Sequence, residues 1–100
     1  MSYKRLNKNE ARKLLAKMMA NDCKILFTDH AIKELKNDDL DRVDAVNILS
    51  SSASKIIDEP EQKNGNWRYR VITEKICVVI EFKNVNGILV ITVFKMKRSK

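Results

Sequence analysis

One hundred residues make one domain, expected to span 1–100, and a chain of this length buries roughly two thirds of its unfolded surface, enough for one core without disulfide staples. With 44% hydrophobic and 33% charged residues, two glycines and one proline, the composition excludes a disordered or fibrous chain and leaves little room for loops. The net charge of +7 suits a polyanionic partner, and no apolar run approaches the ~20 residues that cross a bilayer, so no membrane contact is expected.

The elements follow in chain order. The opening "MSYKRLNKNEARK" has no apolar core of the kind a secretory signal needs. Asn7, with Glu10 three residues on, has the form of a capping box. Ala11, Leu14, Leu15, Met18 and Met19 then mark one apolar helix face, which should end near Asn21. "KILFT", 24–28, reads as a short extended stretch. Thr28 or Asp29 caps a second helix with Ala31, Ile32 and Leu35 on one side. Asp38 or Asp39 caps a third, about 40–50, with Leu40, Val43, Val46 and Leu49 or Ile48 inward. The period then changes to two. "SKIIDEP", 54–60, reads as a short strand closed by Pro60, and "EQKNGN" as a turn or exposed loop. "WRYRVIT", 67–73, alternates cleanly, "ICVVIEFK", 76–83, is a more apolar central strand, "NVNG" is a hairpin loop, and "ILVITVFK", 88–95, is the last strand before a basic tail. The fold class expected is α+β, with about three N-terminal helices packed on one face of a three- to four-stranded antiparallel sheet.

Charge is unevenly placed. Residues 1–36 carry nine basic and four acidic groups, residues 37–61 two and seven, and residues 62–100 nine and two. If the basic ends meet in the fold, they form a surface suited to nucleic acid; a solvated lysine-rich surface accounts for the same counts.

A two-residue turn at Glu74-Lys75 places Arg70 opposite Val79 and Arg68 opposite Glu81. Arg68, Arg70, Cys77, Val79 and Glu81 then share one sheet face, and Trp67, Tyr69, Val71, Val78, Ile80 and Phe82 the other, helix-covered one. Arg68 is either half of a cross-strand ion pair with Glu81 or part of a cationic face whose guanidinium groups grip phosphate. Arg70 has no evident acidic partner across the strand. Lys95 ends the last strand, where a lysine also blocks edge pairing. His30, the single histidine, stands in the first turn of the second helix, either as a proton carrier or as a residue bonded locally or to solvent. Glycine-rich phosphate loops and G-x-S-x-G elbows are absent, and one histidine with two distant cysteines makes no zinc site, so no cofactor or metal is expected. Cys23 and Cys77 read as reduced thiols of a cytoplasmic protein.

"TDHAIKEL" resembles the "HA-x-x-R-M" start of a small bacterial domain family, with Glu34 where arginine and Leu35 where methionine are usual. "LDRVDAVNILSSS" with "SKIIDE" resembles that family's next helix and first strand. "ILVITVFKMK" is similar to its "V-x-T-V" strand and to the end of MqsR-type toxins. Both belong to the RelE-like group of toxin folds, and the resemblance spans about residues 25–97. It implies a metal-independent endoribonuclease toxin that cleaves mRNA, often on the ribosome, and that a cognate antitoxin holds inactive. On that resemblance Lys95 matches the lysine near the end of the last strand, Arg68 and Arg70 the basic residues of the sheet, and His30 the family histidine. The catalytic set expected is therefore His30, Arg68, Arg70 and Lys95. The rival expectation is a non-catalytic RNA- or protein-binding module of the same fold, such as a phage or plasmid inhibitor of a host factor.

Overall fold

The structure, a computed structural model, describes residues 4–84 and 86–96. Helix α1 spans Lys8–Ala20. The Asn7 side chain accepts from the Glu10 backbone N–H at 2.8 Å, and Glu10 Oε1 accepts from the Asn7 N–H at 2.9 Å, which is the expected capping box. Ala11, Leu15 and Met18 are its buried side. Strand β1, Lys24–Phe27, leads directly into α2, Asp29–Asn37, capped by Thr28. Helix α3, Arg42–Ser50, starts later than the sequence suggests. Asp39 adopts a left-handed conformation (φ 56°) and the Leu40 N–H returns to the Leu35 carbonyl, so the cap passes to Asp41, whose partner is Asp44. With that start, Ala45 and Leu49 turn inward and Val43 is 63% exposed instead of buried.

The sheet departs from the expected fold class. It has five strands in the order β1-β5-β4-β3-β2, with β2 at Glu61–Lys63, β3 at Asn66–Ile72, β4 at Ile76–Asn84 and β5 at Gly87–Lys95. It is mixed rather than antiparallel, because β1 runs parallel to β5 from Lys24↔Gly87 to Phe27↔Val90. The helices are not all N-terminal to the strands either, since β1 lies between α1 and α2. Two short segments account for the difference. "KILF" is four residues long, too short for its period to declare it, and its strand character comes from pairing more than 60 residues away. "EQK" is exposed throughout, and its strand character comes from the turn that follows, where Asn64 (φ 52°) and Gly65 (φ 81°) supply the positive φ pair of a type I′ hairpin. Residues 54–60, expected as a strand, contribute one antiparallel bridge, Lys55↔Ile72, before the proline.

All three helices cover the same sheet face. Ala11, Leu15, Ala31, Leu35, Ala45 and Leu49 meet Val71, Val78, Ile80, Ile88, Val90 and Val93 in one apolar cluster. Tyr69 belongs to it: the ring centroid lies 5.3 Å from that of Phe82, and the phenol oxygen accepts from the Leu6 backbone N–H at 2.9 Å. β5 carries a bulge at Ile91, since Val79 pairs with Thr92 while Ile80 pairs with Val90. The bulge is held from α2's cap. Thr28 N–H donates to the Val90 carbonyl at 3.0 Å, and its hydroxyl donates to the Ile91 carbonyl at 2.8 Å.

A candidate ligand site on the open sheet face

The face without helices carries the polar groups of the central strands. The β3–β4 register is the one a Glu74-Lys75 turn predicts, with Arg70↔Val79 and Tyr69↔Ile80. Side chains therefore stand in rows across the sheet. Arg70, Val79 and Thr92 form one, Arg68, Glu81 and Leu89 another, and Cys77 and Phe94 a third. Strand spacing puts Arg70 and Thr92 about 10 Å apart along their row.

Glu81 is 4% exposed on a central strand, a position that would be costly for a lone carboxylate. It is paid for by two cations, as Arg68 Nε donates to Oε2 at 3.1 Å and Lys83 Nζ donates to Oε1 at 2.9 Å. Arg68 is thereby fixed in direction. Arg70 is half exposed, and its acidic partners come from the segment before β2 and from β2 itself, where Glu61 pairs with Arg68, rather than from β4. Asp58 lies at 3.8 Å and Glu61 at 3.7 Å from its guanidinium. That segment runs back along the edge of β3 and brings its "DEPE" stretch to the rim of a cavity of about 510 Å³. The cavity is lined by Arg68 and Arg70, by Asp58, Glu59 and Glu61, and by Thr92 with an apolar floor of Val79, Ile91 and Phe94. Phe94 is 39% exposed there. Cys77, two residues before Val79 on β4, is within electrostatic reach of Asp58 and Arg70. Burial pushes its thiol up to about 11, with Arg70 pulling the other way and Asp58 adding to the rise.

The four expected catalytic residues are not brought together. Arg68 and Arg70 share the cavity. Lys95 follows Phe94 in β5 and so belongs to the opposite, helix-covered side of the strand. Its backbone N–H donates to Asp38 Oδ2, at the C-cap of α2, at 3.0 Å. His30 is exposed in the first turn of α2 and does not line the cavity. The length of α2, about 12 Å for nine residues, separates it from Lys95. Asp58, Glu61, Thr92 and Phe94 were not singled out in the sequence. The acidic run 58–61 was the available signal for the first two. Phe94 could be placed only by knowing the bulge at Ile91.

In chemical terms the cavity offers a proton acceptor in its carboxylates, two guanidinium groups for an anion, and a floor on which a planar ring can lie. Among the described residues no group of three or more His, Cys, Asp and Glu side chains could hold a metal ion, and no helix is long and apolar enough to cross a membrane. No curated protein and no solved structure matches the chain. A family does match, over residues 27–95, from the last residue of β1 to the last of β5, so that α1 precedes the matched region. The chain belongs to that family, which is described as a domain of unknown function, DUF4258.

Proposed function

We propose that the chain is a metal-independent endoribonuclease of the toxin kind, working on mRNA in the cytoplasm under the control of a cognate antitoxin, and that its reaction centre is the open-face cavity. The observation that carries the reading is the placement of Arg68 and Arg70 in one cavity with the exposed carboxylates of Asp58 and Glu61, which lie 3.7–3.8 Å from Arg70, and with an apolar floor. Cleavage would start with a carboxylate, Glu61 or Asp58, accepting the proton of a ribose 2′-hydroxyl. The 2′-oxygen attacks the adjacent phosphorus, the bond to the 5′-oxygen breaks, and that oxygen leaves with a proton from water. The products are a 2′,3′-cyclic phosphate and a 5′-hydroxyl. Arg70, released from Asp58 and Glu61 by the incoming phosphate, and Arg68, held by Glu81, face the charge that grows on the phosphorane. Phe94 carries a base. His30 lies outside this set, so its substitution should matter little.

The test is cleavage of RNA by the purified protein with end-group mapping, alongside growth arrest on expression. Arg70→Ala should lose about 10²–10³-fold in cleavage, with circular dichroism unchanged, while His30→Ala stays within about threefold of the parent. Absence of cleavage of any RNA, with or without ribosomes, removes the reading. One observation favours a second reading, a non-catalytic module that binds RNA or a host protein. Asp58 and Glu61 pair with Arg70, and Glu81 with Arg68, so this face is not a net cationic one. Binding of RNA without cleavage in the same experiment selects it.

A further inference from the structure

The ion pairs of the open face raise a question about the surplus of positive charge, since the arginines there already have carboxylate partners. The answer lies on the other side of the segment 54–57, where it faces α1. A groove of about 320 Å³ lies between them, lined by Lys8, Asn9 and Arg12 of α1 and by Lys55, with Ile56 and Ile57 beside it. Among the described residues, three cations line this groove and no carboxylate does. Among the described residues, none of the three is in an ion pair. Arg12 is fixed by carbonyls, with Nε donating to Ser54 O at 3.2 Å and Nη2 to Ser51 O at 3.0 Å. Lys8 Nζ donates to Ile57 O at 3.4 Å. Glu59, next along the segment, turns its Oε1 to the Arg5 guanidinium and the Lys8 backbone N–H. Three like charges held around one groove repel one another, and an anion in the groove relieves that repulsion.

We infer that this groove is a phosphodiester-binding site, taking backbone phosphates of an RNA strand outside the open-face cavity. The inference rests on the reading of RNA as the ligand, and does not need the chain to cleave it. The groove suits phosphate rather than a base. Its donors are ammonium and guanidinium groups carried on a helix and a chain segment, and among the described residues no aromatic ring lines it on which a base could stack. Arg12 is held in place before any ligand arrives, whereas Lys55 is exposed and can follow the strand.

A 20-nucleotide, 2′-O-methylated single-stranded RNA, which cannot be cleaved through its 2′ position, is titrated against the full chain at two salt concentrations. Lys8→Gln/Lys55→Gln is compared with Lys24→Gln/Lys75→Gln, an equal change of net charge outside the groove; neither pair removes a carbonyl-anchoring arginine. The groove pair should weaken binding about tenfold and reduce the salt slope by roughly 1.4, while the control pair changes affinity by no more than about twofold. Equal effects of the two pairs, or no binding by the parent chain at low salt, overturn the groove site. Cleavage of unmodified RNA is followed separately. If the groove pair behaves as expected and the parent cuts nothing, the site stands and the ribonuclease reading falls. If the parent cuts RNA and the two pairs behave alike, the reverse holds.

Discussion

At the scale of single residues, Cys77 shows how burial in a sheet sets a side chain's chemistry. It is 2% exposed, and burial raises its thiol from 9.0 to about 11. The folded state therefore holds this proton more tightly than the unfolded chain. The stability this contributes is complete below about pH 9 and is lost as pH rises toward 11. The urea midpoint should fall across that interval, and Cys77→Val should fall less steeply, although Tyr69, also raised by burial, adds its own loss at higher pH in both proteins. Equal slopes for the two between pH 9 and 11 would show that the thiol ionises in the folded protein as easily as in the unfolded one. At pH 8 the same burial keeps Cys77 in its unreactive thiol form.

At the scale of elements, the Thr28 hydroxyl joins a helix cap to a strand irregularity. It accepts from the Ala31 N–H at 3.0 Å and donates to the Ile91 carbonyl at 2.8 Å. Thr28→Val keeps the shape and removes both bonds, and should cost roughly 1–3 kcal/mol in chemical denaturation. A cost below about 0.3 kcal/mol would mean that solvent satisfies the Ile91 carbonyl. The same element explains what the sequence could and could not reveal. Helix caps were legible where the signal is local: Asn7 with Glu10, and Thr28. The alternation of residues 67–71, with a two-residue turn at Glu74-Lys75, was enough to place Arg70 opposite Val79 and to assign both faces of β3 and β4. Nothing local announces that "KILF" pairs with residues 87–90, or that "DEPE" returns to the arginines, because both depend on contacts closed by the rest of the fold. The expected third-helix cap failed for a related reason. Asp38, Asp39 and Asp41 are equivalent as sequence, and the left-handed turn at Asp39 decides among them.

At the scale of the whole molecule, positive charge is divided by its company. On the open face each arginine has a carboxylate beside it, which makes that face selective and easily emptied. Among the described residues the groove at α1 holds its cations without carboxylates, which is the basis of the phosphate site inferred above. On the proposed function, the chain gathers RNA with one surface and reacts with it at another. The two surfaces lie on either side of the segment 54–61, so a change in that segment acts on both.

The parallel pairing of β1 with β5 also governs the order of events in time. The β3–β4–β5 meander needs only short loops, whereas β1 must wait for a partner 63 residues further along the chain, as in Lys24↔Gly87. Closing that long loop is favourable only after β5 is already in place on β4. β1 then docks late, past the folding barrier, and α2 settles with it through Thr28. Stopped-flow kinetics should separate the two stages. Val78→Ala, at the centre of β4, should slow refolding, while Ile25→Ala, in β1, should leave refolding nearly unchanged and speed unfolding. A refolding rate equally sensitive to both would place β1 in the nucleus. If β1 is late, the edge of β5 stays bare during the search, and it is there that an unfinished chain is most open to pairing with a second one.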